Sequence, residues 1–368
     1  MVIRVDTEAS PSNGNAGLSR AITSRVTQGK VTIADIARAS GVSSATVSLA
    51  LRNKPGIGTE TRQRVLDAAQ SLGYLFQPSS HASMRNGIDS IGVIVKTRPN
   101  DLAATNSFYG PVLAGIEEIC RRHRIHLLYA NLLVDEESIP VEAPRLLFEE
   151  QIDGLLLVGM HLNATALTLL RQQSAPLVLV DAYAEAEPHD AVVTDNFLGA
   201  YRATSYLLQQ GHGHVAIIGS HPQAFPSILE RRAGYAQAIT DSGVAPHFWD
   251  CPLWPEKAYT AALEYLSKVS PVTAIFCAND AVALAVLQAA QTCGRQVPHE
   301  LSVIGFDNIE LAQHTTPALT TMRVDKMGMG RLAAQLLMNR IEYPTAAYVR
   351  TLLRPELIER QSVSSPNR

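Results

Sequence analysis

Apolar positions near the start of the chain recur with a helical period, whereas from Ser90 onward they come in short continuous runs. Thr32 with Asp35 three residues later makes a capping-box-like start, after which Ile33, Ile36 and Ala37 share one face until Gly41 allows a tight turn. Val42 falls where a side chain can plug the angle between two helices. Ser43 can cap, and Ala45, Val47, Ala50 and Leu51 supply a second short amphipathic helix. A third pattern, Thr59 to Leu72, places Val65, Leu66, Ala69 and Leu72 at helical spacing and stops at Gly73. Helix, short glycine turn, helix is a helix-turn-helix, and the third helix completes a small core. The runs IGVIV (91–95), HLLYA (126–130), GLLLVG (154–159), PLVLVD (176–181), VAIIGS (215–220), TAIFCAND (273–280) and LSVIGFDN (301–308) predict buried strands. They alternate with amphipathic helices such as Val112 to Arg122. These strands are too many for one ordinary sheet, so two α/β lobes of parallel strands are expected.

Composition places the whole in a familiar size class. A chain of 368 residues, 46% hydrophobic and 18% charged, can bury one or two full cores and a small appendage. No apolar run approaches the roughly 18 residues of a membrane span, and MVIRVDTEASPSNGNAGLSRAITSR lacks the apolar core of an export signal, so a cytoplasmic protein is expected. Cys120, Cys251, Cys277 and Cys293 form no C-x-x-C pair and read as buried free thiols. Charge divides the chain. From Lys30 to Arg85 seven basic residues face three acidic ones, a balance of +4 that leaves −7 for the rest of a chain whose net charge is −3. A small basic helical unit on a larger acidic body fits one module for a polyanion and another for a different task.

VTIADIARASGVSSATVSLALRNKPGI followed by TRQRVLDAAQSLGY resembles the DNA-binding headpiece of the lactose-repressor/galactose-repressor family of bacterial transcription regulators. In that family the second helix lies in the major groove of double-stranded operator DNA. Carried over by position, the resemblance makes Ser44, Ala45 and Leu49 base-facing candidates and Thr46, Ser48, Arg52 and Arg62 backbone candidates, with Thr32 and Ser43 at the helix starts also facing DNA. Ser, Ala and Leu depart from the long polar groups common at such base-facing positions, although Ala45 and Leu49 could pack on thymine methyls. For Thr46 and Ser48, simple helix filling is the alternative. LFQPSSHASMRNGIDS stands where the family has a hinge that becomes helical on the operator and wedges an apolar side chain into the minor groove, and Met84 is the matching residue. The spacing from Pro78 to Met84 is one residue shorter than the family pattern, and a plain linker is the alternative.

The resemblance continues through DGLLLVG, VVTDN, GHGHVAIIG, ERRAGY, AIFCAND, LSVIGFDN and PALTTMRVD. It implies an α/β fold in which the three-helix helix-turn-helix headpiece precedes a two-lobed periplasmic-binding-protein-like sensor of parallel sheets. The implied organisation is a disordered extension over 1–29, a headpiece over 30–75, a hinge over 76–89, a sensor over 90–361 and a tail over 362–368. Lobe 1 takes about 90–195 and 323–345 and lobe 2 about 196–322 and 346–361, with crossings near Asp195, Met322 and Pro344. A small-molecule effector, a sugar, sugar derivative or nucleobase-like compound, is expected between the lobes, where strand ends converge. Asp181, Asn279 and Asp307 end apolar strands and could hydrogen-bond hydroxyls or ring nitrogens, while Arg231 matches the family's ligand-clamping arginine. Phe108 and Tyr109 stand where family members have aromatics at the cleft entrance. For Phe108 and Asn279, core packing or turn capping is the alternative.

An enzyme is not expected. G-x-x-x-x-G-K-[ST], G-x-S-x-G, H-E-x-x-H and G-x-G-x-x-G are all missing from the sequence, and the His212/His214 pair has no acidic or cysteine cluster beside it to hold a metal. No cofactor is expected. The reading is a one-component repressor acting as a homodimer, without a heptad tail after Arg360 for tetramer formation. An activator or dual regulator answering to a protein partner is the alternative. Arg231→Ala or Asp307→Ala is expected to abolish the ligand response while leaving the fold nearly intact.

Overall fold

A computed structural model describes residues 32–51, 57–72, 87–97, 106–135, 139–148, 152–162, 166, 175–184 and 188–366. The extension over 1–29, most of the hinge, Arg52 and Met84 lie outside the described residues. The chain divides into two units, residues 1–84 and 85–368. Among the described residues no helix is long and apolar enough to cross a membrane.

The first unit contains α1 (Ile33–Ser40), α2 (Ser44–Leu51) and α3 (Thr59–Ser71). The Asp35 carboxylate accepts both the backbone N–H of Thr32 (3.0 Å) and its hydroxyl (2.6 Å), which fixes the start of α1. Gly41, at φ +68°, ends α1 in the left-handed region, where a side chain would be strained. The Ser43 hydroxyl accepts the Thr46 N–H at 3.1 Å and caps α2. Ile36, Val47, Ala50, Leu51, Val65 and Ala69 form the core. Leu66 and Leu72, expected on its inner face, are instead exposed by more than a third. Spacing alone does not fix how wide the buried stripe of so short a helix is.

The second unit has two parallel sheets. Lobe 1 orders β1 (Ser90–Thr97), β2 (His126–Leu133), β3 (Gly154–Val158), β5 (Leu177–Val180), β7 (Asp190–Thr194) and β13 (Arg350–Leu353) as β13-β7-β5-β3-β1-β2. Lobe 2 orders β8 (Val215–Ile218), β9 (His247–Trp249), β10 (Ala274–Cys277), β11 (Ser302–Asp307), β12 (Thr320–Arg323) and β14 (Glu356–Ile358) as β14-β12-β11-β10-β8-β9. Among the described strands only β14 runs antiparallel to its neighbour. A two-stranded ribbon, β4 (His161–Leu162) with β6 (Tyr183–Ala184), extends from lobe 1. Strand order reverses beside β1 in lobe 1 and beside β8 in lobe 2, the two places where an open α/β sheet leaves a crevice at its strand ends.

Helix α4 (Tyr109–His123) packs on α9 (Lys326–Glu342) in lobe 1, and α5 (Asn196–Gln209) on α6 (Pro226–Ser242) in lobe 2. Gly234 makes the second contact close: a Cβ there would stand 2.2 Å from the Phe197 carbonyl oxygen. Helices α7 (Pro255–Leu266) and α8 (Asp280–Thr292) cover the other face of the lobe 2 sheet.

The chain passes between lobes after β7, after β12 and between β13 and β14. The last passage corrects the expected crossing at Pro344 and the assignment of residues 346–353 to lobe 2. Buried Arg340 pairs with buried Asp190 (Nε to Oδ2, 2.6 Å) and donates to the carbonyls of Pro344, Ala346 and Ala347, so this segment stays on lobe 1 and β13 joins β7. The expected tail over 362–368 also begins inside lobe 2. Ser362 is fully buried, its hydroxyl donating to the Val303 carbonyl, and buried His212 binds Ser302 and the Ser364 carbonyl through Nε2.

Candidate functional site

On the headpiece, Ser44, Ala45 and Leu49 project from the exposed side of α2, while Val47, Ala50 and Leu51 turn inward. Leu49 is 42% exposed, an unusual place for a large apolar side chain on a small domain. Thr32 and Ser43 are exposed but already engaged, with Asp35 and Thr46 respectively, and Thr46 and Ser48 are half-buried. Arg62 donates from Nη1 to the Ala50 carbonyl at 3.2 Å, so one of its N–H groups ties α3 to the end of α2.

In the second unit all six expected cleft residues, Phe108, Tyr109, Asp181, Arg231, Asn279 and Asp307, line one cavity of about 750 Å³. Their positions follow from topology: Phe108 and Tyr109 open the helix after β1, Asp181 follows β5, Arg231 lies in α6, and Asn279 and Asp307 end β10 and β11. Arg231 is 4% exposed, and its guanidinium is fully oriented. Nε donates to Asn196 Oδ1 (2.8 Å), Nη1 to the Ala278 carbonyl (2.5 Å) and Nη2 to Asp307 Oδ1 (3.2 Å), with the guanidinium carbon over the Phe306 ring, 3.8 Å from its centroid. Such a fork presents its remaining N–H groups in a set direction. Its burial argues against the expectation that Arg231→Ala leaves the fold nearly intact, because that change would strand a buried Asp307 without its partner.

Both cleft carboxylates sit on backbone that side chains rarely adopt, Asp181 at φ +47° and Asp307 at φ +106°. Two residues held this way around one cavity mark a place where surrounding packing overrides local preference. Burial pushes Asp181 up to about 6, opposed by the nearby Arg231 charge and reinforced by Asp307. Its Oδ2 accepts the Tyr109 hydroxyl at 3.2 Å. Burial also raises Asp307, against the pull of Arg231 and Lys326, and lifts neighbouring Asp280 to about 7. Lys326, at the second crossing, donates to the carbonyls of Asp307 (2.5 Å) and Asn308 (3.0 Å). Asn279 bears out the turn-capping alternative in part. Its Oδ1 accepts the Val282 N–H at 2.9 Å, leaving its amide NH₂ for the cavity.

Several residues around the cleft escaped sequence reasoning. Lys96, His161, His221, Phe225, Ser227, Trp254 and Lys257 line the same cavity. Of these, Lys96 carried a signal, since it is a charge that breaks an apolar run at the end of a strand. Asn196 carried another, directly after the VVTD strand end. Asn196 also reaches across the lobes: its Nδ2 donates to Tyr183 Oη (3.0 Å) and to Glu230 Oε2 (3.2 Å). Glu230 accepts the Tyr183 hydroxyl and pairs with Arg350 (2.9 Å). The cleft arginine is thus joined through Asn196 to contacts that hold lobe 1 against lobe 2.

Comparison with known proteins agrees with this architecture. Residues 32–77 match the model of "Bacterial regulatory proteins, lacI family", and residues 204–363 match "Periplasmic binding protein-like domain". The HTH-type transcriptional repressor PurR of Photobacterium profundum is 31% identical over 343 residues, covering 91% of this chain and 99% of the relative. The HTH-type transcriptional repressor CytR of Escherichia coli is 33% identical over 334 residues, covering 90% and 96%. Among solved structures, a transcriptional regulator CelR-cellobiose complex superposes with a TM-score of 0.65 at 26% identity, covering 90% of this chain and 99% of that one.

Proposed function

Since this chain belongs to the lacI family of bacterial regulatory proteins, we propose that it is a repressor whose hold on operator DNA is set by a small molecule bound in the cavity between its two lobes. One observation carries the reading. Six residues from five separate places in the sequence, picked out by chemistry and resemblance, line a single cavity of about 750 Å³, a volume within the range of small-molecule sites. Asp181, Asp307, Arg231 and the Tyr109 hydroxyl offer a dense set of acceptors and donors with aromatic surface beside them, the chemistry that holds a polyhydroxylated ligand. The CelR complex carries a ligand of that class, cellobiose.

The headpiece supplies the other half. Ser44, Ala45 and Leu49 face the bases, and Thr46 and Ser48 the phosphates, of a duplex bound by two copies of the chain on a nearly palindromic operator. The ligand acts by linkage: it shifts operator affinity only to the extent that it binds one lobe arrangement better than the other.

The test is an operator titration of the full chain, on DNA chosen by selection from a random pool, against sugars, nucleosides and their phosphates. At least one compound should change operator affinity about five-fold or more. Arg231→Lys, which keeps a cation beside Asp307 but loses the fork, should remove that response while still binding DNA. A wild-type response in Arg231→Lys would place the effector elsewhere, and a DNA affinity answering only to an added protein would replace the small molecule with a partner.

A further inference from the structure

At the start of α6 the cavity wall offers donors rather than acceptors. Helix α6 starts at Pro226 with Phe225 as its N-cap, and no side chain caps it. The N–H groups of Ile228 and Leu229 both turn back to the Phe225 carbonyl (2.8 and 3.0 Å), which leaves the Ser227 N–H at the open, positive end of a 17-residue helix. Ser227 is 7% exposed, lines the cavity, and among the described residues its hydroxyl has no hydrogen-bond partner. A hydroxyl without a partner, on a residue more than nine-tenths buried at a cavity wall, is a donor for an acceptor in that cavity.

Two lysines and a histidine share the cavity with that helix end. The Lys96 ammonium, from lobe 1, lies 4.5 Å from the centroid of the Phe225 ring and lines the cavity. His221 Nδ1 accepts the Gln223 N–H at 3.3 Å, which leaves Nε2 as the ring nitrogen able to donate. Lys257 lines the cavity from the first turn of α7. Among the described lining residues the only carboxylates are Asp181 and Asp307, and Asp307 is paired with Arg231.

We propose that the cavity has an anion subsite, formed by the start of α6 with Ser227, Lys96, His221 and Lys257, and that the effector is a phosphate monoester of a sugar or nucleoside. This rests on the cavity being the effector site. Its polyhydroxyl part meets Asp181, Tyr109 and Arg231, while the phosphoryl oxygens accept from the Ser227 hydroxyl and N–H and from His221. Lys96 comes from lobe 1 and Ser227 from lobe 2, so a phosphate between them favours the closed arrangement of the lobes.

Calorimetry on the full chain tests this with matched pairs: glucose and glucose 6-phosphate, ribose and ribose 5-phosphate, adenosine and AMP, cytidine and CMP, with inorganic phosphate as the minimal probe. The phosphorylated member of at least one pair should bind about tenfold or more tightly than its neutral partner. Inorganic phosphate should bind weakly and compete with it. Lys96→Met should weaken the phosphorylated member about tenfold more than its neutral partner, bringing the ratio within the pair close to one. Ser227→Ala and the exposed Lys257→Gln should lower the ratio in smaller steps, independent of any folding defect in the first variant. Neutral members binding as well as phosphorylated ones, equal weakening of both by Lys96→Met, or no binding of any phosphate species would each overturn the subsite. The two readings separate cleanly. Neutral ligands that shift operator affinity without phosphate preference refute the subsite and leave the effector cavity standing. Lys96-dependent phosphate binding with no effect of any ligand on operator affinity does the reverse.

Discussion

The recognition face of α2 and the wall of the interlobe cavity are both candidate binding surfaces, built on opposite plans. On α2 the residues proposed to meet bases, Ser44, Ala45 and Leu49, are exposed and lie outside the described headpiece core. In the cavity Arg231, Asp181 and Asp307 are buried, each bound to other protein groups, and two of them sit on strained backbone. An exposed face can change its preference without unfolding anything. A buried polar wall couples binding to the stability and arrangement of the lobes around it, which is what a sensor requires.

The comparison is strained most by removing the cleft arginine. Arg231→Ala should destabilise the second unit by about 3 to 5 kcal/mol, since Asp307 is left buried without its partner. Chemical denaturation should show that loss, and the equivalent truncation of a recognition residue should show almost none.

Next in size is a pH effect on Asp181. Its carboxyl titrates near 6 in the folded chain against 3.8 unfolded, so it contributes stability that is complete below about pH 4 and is lost as pH rises through 6. Asp181→Asn removes that loss. Measured from pH 4 to 7, the variant should gain on the wild type by up to about 3 kcal/mol. A constant difference across that range would show that Asp181 is ionised as easily in the fold as in water.

How far these regions were legible in the sequence follows the same division. The exposed positions proposed for recognition follow from the motif that carries them, because helix, glycine turn and helix fix their register. The central lobe strands such as β1 and β3 declared themselves as apolar runs because they are buried on both faces, whereas HLLYA, expected to be buried, forms the edge strand β2, where most positions are exposed or half-buried. The edge strands β9 and β14 have three residues each, and β13 (Arg350–Leu353) alternates exposed and half-buried positions, so neither length nor hydrophobicity marked them. The third crossing was misplaced because Arg340 and Asp190, which hold residues 344–349 to lobe 1, are 150 positions apart. Asp181, Asn279 and Asp307 were legible as polar residues ending apolar strands. Ser227, His221 and Lys257 lie in loops and first helical turns, where polar residues are ordinary, and only the fold brings them to the cavity.

Smaller effects sharpen the contrast on the headpiece. Leu49→Arg places a guanidinium where guanine O6/N7 can be read and should redirect operator choice by about 1 to 3 kcal/mol per base pair in a randomised selection. Stability should stay within about 0.5 kcal/mol, because the position is exposed. An unchanged preference would move sequence readout to DNA shape. Asn279→Ala should have the mildest effect of the four. It removes the cap of α8 and should cost about 1 kcal/mol in denaturation, with any further loss in ligand affinity reporting on the amide NH₂ left to the cavity.

The central claim is that occupancy of the cavity and binding of operator DNA are two ends of one equilibrium. Reciprocity tests it most directly: the affinity of the full chain for a cavity ligand is measured by calorimetry with and without saturating operator, and operator affinity is measured with and without saturating ligand. The account predicts that the two ratios are equal and differ from one by about five-fold or more. A ligand that fills the cavity and leaves operator affinity unchanged, with its own affinity indifferent to the operator, would contradict it.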